Sequence, residues 1–389
     1  MFISEGRVRV LPIACILALF LGGSTPSKAQ AAPALPTDNP KVTKTDEAVD
    51  EAVSKFFSNS CHVGLSIAMV RGAQTTFYDD GSISRDKQEL ANPDSIYEIA
   101  SVTKTLTGAL AAEAVVEHRM KLDANFGEYL PQAYPNLAWQ EQPITLRTLA
   151  THRSGLPRDL PNEDDLYAHR NFDTLPDQLI AREAGYDRAR YLRELHSVRL
   201  NSLPGSNEVY SNLGTKVIGF GLEQVYGMTY ETLVEQKILR PLGMNSTGFV
   251  VGAAEQSRLV QGYDRSGKQM PYHLRNAGAA YGLYSTSRDM AKYLRWQLDE
   301  ANPAIRLAHQ PLLGTIEDGE GLIWNLAVDR GTRILWHGGG TFGMSSQTVL
   351  YPAAHEGFVL LANDTCQGTE DALKNIAIEV HQALDADTK

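Results

Sequence analysis

The sequence predicts an α/β fold of the α+β type, in which one antiparallel sheet is built from both ends of the chain. Apolar runs with strand-like character lie near the two ends, whereas the long middle shows helical patterns that glycine and proline interrupt. Amphipathic segments before the first strand and near the C-terminus predict terminal helices that pack on this sheet.

The elements follow in order along the chain. A stripe of apolar residues predicts a first helix over 45–58. Apolar runs at 62–70 and 75–78, separated by Arg71-Gly72-Ala73-Gln74, predict a hairpin. The middle segments with helical patterns are 102–116, 145–152, 211–226, 230–239 and 287–298. Towards the end we predict strands at 322–328, 333–336, 346–351 and 357–362, and a closing helix over 371–384.

Residues 1–31 have the features of a secretory signal peptide. Two arginines precede the apolar run 10–21, and small residues then allow cleavage after Ala29 or Ala31. A membrane anchor is the alternative, but a run of 12 residues is shorter than the roughly 20 that a spanning helix needs. We therefore expect an exported protein, periplasmic or secreted, with no membrane span in the mature chain.

Beyond the leader, we predict a linker rich in proline and alanine over 32–44, followed by one domain over 45–389. In this domain, an α/β lobe (45–100 and 320–389) encloses a mostly helical lobe (101–319) that is inserted in the middle of the sheet sequence. Clefts between such lobes are common places for ligand sites.

Composition excludes some function classes. The net charge of −10 and the absence of a basic stripe argue against a nucleic-acid partner. The 10 histidines show no metal-ligand spacing, so we expect no metal and no cofactor. Two cysteines follow the leader, Cys61 and Cys366, which is the number needed for one disulfide in an oxidising compartment. Two buried thiols are the alternative.

The pair Ser101 and Lys104 is the first candidate for chemistry. It lies at the start of an apolar helix that we expect to be buried. An amine three residues after a hydroxyl can reach back to it, and burial lowers the pKa of a lysine enough for it to act as a base. The alternative is that Ser101 is only a helix N-cap. A second Ser-x-x-Lys at 84–87 lies in a polar stretch, so the spacing alone is not specific.

Tyr210-Ser211-Asn212 is the second candidate, because it places a phenol and an amide at the mouth of another predicted helix. A capping loop is the alternative interpretation. The similar Tyr134-Pro135-Asn136 lies in a proline loop, so this spacing is not specific either.

A glycine-rich run over 336–341, Trp-His-Gly-Gly-Gly-Thr, is the third candidate. Glycines between two strands allow a substrate backbone to approach the strand edge, and a backbone N–H here could complete an oxyanion hole with that of Ser101. A simple hairpin turn is the alternative.

Taken in order, these three motifs resemble the class C β-lactamase superfamily, which includes β-lactamases, penicillin-binding DD-peptidases, esterases and D-aminopeptidases. The resemblance covers nearly the whole mature chain. It extends to the stretches FYDDGSISRD, ITLRTLATHRSGLPRDLP, PGSNEVYSNLGTKVIG, ILRPLGMNST, GLYSTSRDMAKYL and HGGGTFGMSSQTVLYP. It implies the β-lactamase/DD-peptidase-like fold, with a five-stranded antiparallel sheet.

The resemblance also implies roles for individual residues. His152 falls in a block that we expect to maintain the fold. Because the first and last strands of the family's sheet are neighbours, Cys61 and Cys366 should form a disulfide. The implied site consists of the nucleophile Ser101, the acid–base residues Lys104 and Tyr210 in either order, the substrate-binding residues Asn212, His337 and Gly339, and the oxyanion-hole N–H groups of Ser101 and Gly340.

The third motif departs from that of class C β-lactamases, because His337 replaces a lysine and Gly338 replaces the usual threonine. We therefore do not expect efficient β-lactamase activity. The resemblance implies a D-alanyl-D-alanine carboxypeptidase/endopeptidase that forms an acyl-enzyme on peptidoglycan peptides and takes β-lactams as inhibitors. The alternatives are an esterase or D-aminopeptidase on a small acyl substrate, a weak β-lactamase, or a non-catalytic peptidoglycan-binding homologue.

Overall fold

A large antiparallel sheet organises the computed structural model, which describes residues 35–386 except 88, 170, 172 and 273–277. The predicted leader lies outside the described residues, as does the first part of the predicted linker. The described strands are β1 (Gly64–Arg71), β2 (Gln74–Gly81), β3 (Tyr97–Glu98), β4 (Ala138–Trp139), β5 (Gln142–Pro143), β6 (Tyr263–Asp264), β7 (Tyr284–Ser285), β8 (Leu313–Gly314), β9 (Asp318–Glu320), β10 (Asn325–Asp329), β11 (Thr332–Gly340), β12 (Ser345–Tyr351), β13 (Glu356–Ala362) and β14 (Asp364–Thr365).

The large sheet has the strand order β2-β1-β13-β12-β11-β10-β9-β8, so that the N-terminal hairpin pairs with strands from the end of the chain. The mixed α/β class and the antiparallel sheet agree with the sequence prediction. The expected count of five strands was wrong: eight described strands form this sheet. The strands β8 and β9 are only 2 and 3 residues long and lie in a stretch of glycine and acidic residues, which gives no strand-like alternation.

Helices cover both faces of the sheet. They are α1 (Lys44–Phe56), α2 (Thr103–Val116), α3 (Leu146–Ala150), α4 (Asp164–Ala168), α5 (Leu175–Glu183), α6 (Arg188–Leu195), α7 (Asn212–Tyr226), α8 (Tyr230–Val234), α9 (Arg240–Leu242), α10 (Ser287–Gln297), α11 (Pro303–Ala308) and α12 (Thr369–Asp385). No helix within the described ranges is both long enough and apolar enough to cross a bilayer.

The side chains of strand β1 show that each face of the sheet packs in its own hydrophobic core. Leu65, Ile67 and Met69 pack in a core with the terminal helices α1 and α12, whereas Ala68 and Val70 belong to the larger core beneath the middle helices. Side chains of a strand alternate between faces, so a strand covered on both sides is apolar throughout. The predicted division at residues 100 and 320 stays a prediction, because residues 35–386 form one compact unit.

The structure joins Cys61 and Cys366 in a disulfide across a sequence separation of 305 residues, with their Cα atoms 6.1 Å apart. Cys61 lies just before β1, and Cys366 follows β14. The two cysteines meet because β1 pairs with β13, the strand that precedes β14.

We expect alkylation of the unfolded but unreduced protein, prepared without residues 1–31, to label neither cysteine. Reduction should expose both thiols. Because the bridge closes a very long loop of the unfolded chain, its removal in a Cys61→Ser/Cys366→Ser variant should lower the free energy of unfolding by about 2–5 kcal/mol. Labelling of both thiols before reduction would contradict the pairing.

Candidate active site

Ser101 lies at the mouth of α2, in a short 3₁₀ turn over Ala100–Val102. The preceding residue, Ala100, is fully buried with a φ of +46°, an uncommon conformation for a residue with a side chain. Val102, not Ser101, is the N-cap of α2, and its side chain makes no capping bond. The interpretation of Ser101 as a simple N-cap is therefore wrong.

The Ser101 hydroxyl faces a cavity of about 650 Å³. Residues from separate parts of the chain line this cavity, and they include all three sequence motifs: Ser101, Tyr210, Asn212, His337, Gly338, Gly339 and Gly340. The sequence-predicted site residues therefore come together in one place, while their catalytic roles stay predictions.

Lys104 is completely buried next to Ser101. Its Nζ lies 2.9 Å from Ser101 Oγ, and it donates hydrogen bonds to Asn212 Oδ1 at 2.8 Å and to the Ala280 carbonyl at 2.7 Å. These two oxygens only accept, so a neutral amine uses both of its N–H groups on them and faces the Ser101 hydroxyl with its lone pair. Burial lowers the pKa of Lys104 well below its ordinary value; Asp159 opposes this shift, and Arg158 and Lys216 add to it. An amine that is readily deprotonated is therefore held against the serine hydroxyl.

Tyr210 contacts the same hydroxyl from the other motif, with its Oη donating to Ser101 Oγ at 2.7 Å. Burial raises the pKa of Tyr210, which keeps the phenol protonated. Ser211 is the N-cap of α7 and accepts from the Gly214 N–H, so Tyr210 is not needed for capping. The opposite pKa shifts of the lysine and the tyrosine favour Lys104 as base and Tyr210 as proton donor.

Asn212 is anchored at both ends of its amide. Its Oδ1 accepts from Lys104, and its Nδ2 donates to Asp159 Oδ1 at 2.9 Å. Asp159 in turn lies 3.3 Å from the Arg158 guanidinium, which is stacked 5.4 Å from the centre of the Tyr210 ring. The substrate-binding role of Asn212 stays a prediction.

His337 is buried in the third motif, and its Nδ1 lies 2.7 Å from the Gly338 carbonyl. A carbonyl only accepts hydrogen bonds, so Nδ1 carries the proton and Nε2 is an acceptor. Burial lowers the pKa of His337 to about 3, and the nearby Lys104 adds to this shift. His337 is therefore a neutral side chain in the third motif.

Gly339 of β11 is required by close packing. A Cβ on Gly339 would lie 2.7 Å from the Ser101 backbone nitrogen and 2.9 Å from the Ile99 carbonyl. At Gly339, β11 therefore packs directly against the turn that contains Ser101. This contact is consistent with an oxyanion hole formed by the N–H groups of Ser101 and Gly340, which stays a prediction.

His152 packs against Tyr210 and the residue that follows it. The Ser211 N–H donates to its Nδ1 at 3.2 Å, and its ring centre lies 4.4 Å from that of Tyr210. Burial lowers the pKa of His152 to about 3, so it contributes as a neutral ring. The structural role that we expected for His152 stays a prediction.

Sequence reasoning missed several residues around the cavity: Arg158, Asp159, Glu163, Ala280 and Glu370. Glu163 is 5% exposed, and its Oε1 has no hydrogen-bond partner among the residues that the structure describes. Burial raises its pKa to about 8, with contributions from Asp159 and Glu183. No spacing rule marks these residues, because their importance comes only from the fold that brings them to the cavity.

The second Ser-x-x-Lys sequence at 84–87 and the second Tyr-x-Asn sequence at 134–136 lie in other environments. Ser84 and Lys87 face each other across a tight turn closed by an isolated β-bridge. Tyr134 is buried, and its hydroxyl donates to the Leu192 carbonyl. Within the described ranges, His62, Asp364 and Cys366 are the group with metal-ligand spacing, but the Cys366 sulfur is used in the disulfide.

A sequence profile of the Beta-lactamase family matches residues 49–383. The chain belongs to this family of serine hydrolases. Among curated proteins, the chain is similar to the D-alanyl-D-alanine-carboxypeptidase/endopeptidase AmpH of Escherichia coli K12, with 29% identity over 252 residues, or 65% of this chain and 62% of AmpH. A Beta-lactamase of Pseudomonas fluorescens is 25% identical over 261 residues, or 67% of this chain and 66% of that protein.

The Protein flp of Staphylococcus aureus MRSA252 is 26% identical over 330 residues, or 82% of this chain and 63% of that protein. The matched part thus spans about three-fifths of the length of AmpH and of Protein flp. Solved structures with this fold include a class C β-lactamase with a TM-score of 0.73 and 20% identity, covering 88% of this chain and 96% of its own. A Beta-Lactamase/D-Alanine Carboxypeptidase from Pseudomonas syringae has a TM-score of 0.71 and 21% identity, covering 87% and 99%.

Because burial lowers the pKa of His337 to about 3, it should not create a pH dependence near neutrality. We expect wild type and His337→Gln to show kcat/KM profiles of the same shape between pH 6 and 8 for an uncharged ester. A fall above neutrality in wild type that is absent from the variant would indicate a cationic histidine and contradict this assignment.

Proposed function

We propose that this chain is an exported serine hydrolase that acts as a D-alanyl-D-alanine carboxypeptidase/endopeptidase on peptidoglycan peptides. The observation that carries the proposal is the convergence of two proton-transferring groups, the Lys104 amine and the Tyr210 phenol, on Ser101 Oγ at 2.9 and 2.7 Å. A nucleophile, a base and a proton donor in hydrogen-bond contact are the parts that acyl transfer requires.

In the proposed reaction, Ser101 Oγ attacks the acyl carbonyl of the substrate while its proton passes to Lys104 Nζ. The N–H groups of Ser101 and Gly340 stabilise the oxyanion. As the bond to the leaving group breaks, Tyr210 protonates the departing amine and regains a proton from the Lys104 ammonium. Water then attacks the acyl-enzyme by the same route in reverse, which releases the acid and restores Ser101.

Two arguments support a DD-peptidase over an efficient β-lactamase. AmpH, the relative with 29% identity, is named for both the carboxypeptidase and the endopeptidase activity. The neutral His337 and the glycine at 338 remove the cation and the hydroxyl that resemblance places in the third motif of an efficient β-lactamase. Export to the periplasm, where peptidoglycan lies, is supported by the signal-like pattern of residues 1–31.

An esterase or D-aminopeptidase is the second candidate, because an uncharged third motif also suits a substrate without a carboxylate next to the bond that is cut. A weak β-lactamase would use the same residues. A non-catalytic peptidoglycan-binding protein has less support, since a fully assembled Ser–Lys–Tyr arrangement is not needed for binding.

The direct test is intact-mass spectrometry of the mature protein mixed with benzylpenicillin, with Ser101→Ala as the control. We expect a lasting adduct of one penicillin on the wild type and none on the variant. Hydrolysed drug without an adduct would favour a β-lactamase instead. If neither adduct nor hydrolysis is found, the DD-peptidase proposal is wrong and the esterase, D-aminopeptidase or non-catalytic interpretation takes its place.

A further inference from the structure

A buried carboxyl group in the wall of the cavity lacks a hydrogen-bond partner. Glu163 lines the cavity that holds Ser101, and it is 5% exposed. Its Oε1 makes no hydrogen bond to any residue that the structure describes. Nearly all buried polar atoms in native proteins are hydrogen-bonded, so an unpartnered carboxyl oxygen beside a cavity points to a ligand group that completes it.

A second carboxyl group belongs to the same wall. Asp159 precedes Glu163 by four residues, is 7% exposed and also lines the cavity. Its two oxygens already have partners: the Asn212 amide donates to Oδ1 at 2.9 Å, and the Arg158 guanidinium lies 3.3 Å from Oδ2. Of these two carboxyl groups, Glu163 is therefore the one that remains open to a ligand.

Direct contacts place this wall beside the reacting groups. The Arg158 guanidinium lies 5.4 Å from the ring centre of Tyr210, the residue bonded to Ser101 Oγ. It also lies 5.4 Å from the ring centre of Tyr167. The Tyr167 N–H donates to the Glu163 carbonyl at 3.2 Å. A substrate bound at Ser101 therefore has this wall within reach of its side groups.

Apolar side chains lie next to the two acids. The residues that α5 contributes to the cavity lining are Leu175, Pro176 and Leu179. Helix α4 begins directly after Glu163, and a bond from Arg182 of α5 to Asp165 of α4 at 2.9 Å holds the two helices together. An apolar wall that ends at a carboxyl group suits a methylene chain with an amine at its end.

The charges around Glu163 favour its protonated form. Burial and two neighbouring acids, Asp159 and Glu183, raise the pKa of Glu163 to about 8. Two cations, Lys216 and Arg158, oppose this rise without reversing it. Glu163 therefore holds a proton at neutral pH, and an ammonium group that reaches it can take the place of that proton.

We propose that Glu163 and Asp159 form an acidic subsite for an ammonium group in the acyl part of the substrate. This inference rests on the proposed function, because peptidoglycan peptides carry a diamino acid, such as lysine, before their two D-alanine residues. The leaving D-alanine bears a carboxylate, which two acids would repel, so the subsite serves the acyl part. The diamino acid lays its methylene chain along α5 and its amine at Glu163.

The test compares two peptides that differ by one acetyl group: Nα-acetyl-L-lysyl-D-alanyl-D-alanine, which has a free ε-amine, and its Nα,Nε-diacetyl form. The measured quantity is the free-to-acetylated ratio of kcat/KM for release of D-alanine at pH 8.5. We expect this ratio to fall about tenfold in Glu163→Gln, the effect of losing one charge-assisted hydrogen bond. An unchanged ratio would overturn the subsite proposal.

Asp164→Asn is the matched control. It removes one charge from the neighbouring residue, but Asp164 is exposed, and its carboxylate accepts from the Asn162 side chain at 3.0 Å. This variant should keep the wild-type ratio. A fall equal to that of Glu163→Gln would indicate a general charge effect and would also overturn the proposal.

The wild type offers a second measurement that needs no substitution. The ratio should rise about tenfold between pH 6.5 and 8.5, because Glu163, with its pKa of about 8, loses its proton over this range while the lysine ε-amine stays protonated. Titration of Lys104 affects both peptides equally and cancels in the ratio. A ratio that does not change with pH would contradict the role of Glu163.

The p-nitrophenyl esters of 6-aminohexanoate and hexanoate separate this proposal from the proposed function, since their hydrolysis needs acyl transfer but no peptidase activity. If the esters are hydrolysed and the peptides are not, the DD-peptidase proposal fails, and the ester ratio still measures the Glu163 effect. If both series are hydrolysed without any Glu163 effect, only the subsite proposal fails. If neither series is hydrolysed, both proposals fail.

Discussion

The buried Lys104 amine is the interaction on which the rest of the site depends. Its three hydrogen bonds join the nucleophile Ser101, the α7 residue Asn212 and the backbone at Ala280, which come from three separate parts of the chain. A buried charge without compensation is very costly, so the surroundings determine the protonation state of this amine. Lys216, also buried near Asp159, shows the contrast: burial lowers its pKa, but the charges of Tyr191, Asp159 and Glu183 outweigh burial and raise it.

The large sheet fixes the position of the Ser101 turn. One face of β11 packs against the Ser101 turn so closely that Gly339 has no space for a side chain. On the other face of the same strand, Gly338 and Gly340 leave room for Glu370 at the start of α12. One run of three glycines therefore packs against the Ser101 turn on one face and against the Glu370 carboxylate on the other. Through this contact the last helix, α12, contributes a charged side chain to the cavity.

Much of this arrangement could be predicted from the sequence, because local pattern encodes it. Ser101 and Lys104 are one helical turn apart, the helices and long strands follow their apolar periodicity, and the order of the three motifs identifies the fold. The sequence could not predict β8 and β9, whose few polar residues have no pattern, or the neutral state of His337, which depends on burial. Asp159, Glu163 and Glu370 were equally out of reach, since only the tertiary fold brings them to Ser101.

The most direct test of this account is the pKa of Lys104, measured by NMR titration of protein labelled with ¹³C at the lysine ε carbon. Lys104→Gln assigns the signal, and Lys216 serves as an internal reference in the same protein. The account predicts that Lys104 titrates well below the ordinary lysine value of about 10.4, while Lys216 titrates above it. A Lys104 signal that titrates at or above the ordinary value would contradict its assignment as the base that activates Ser101.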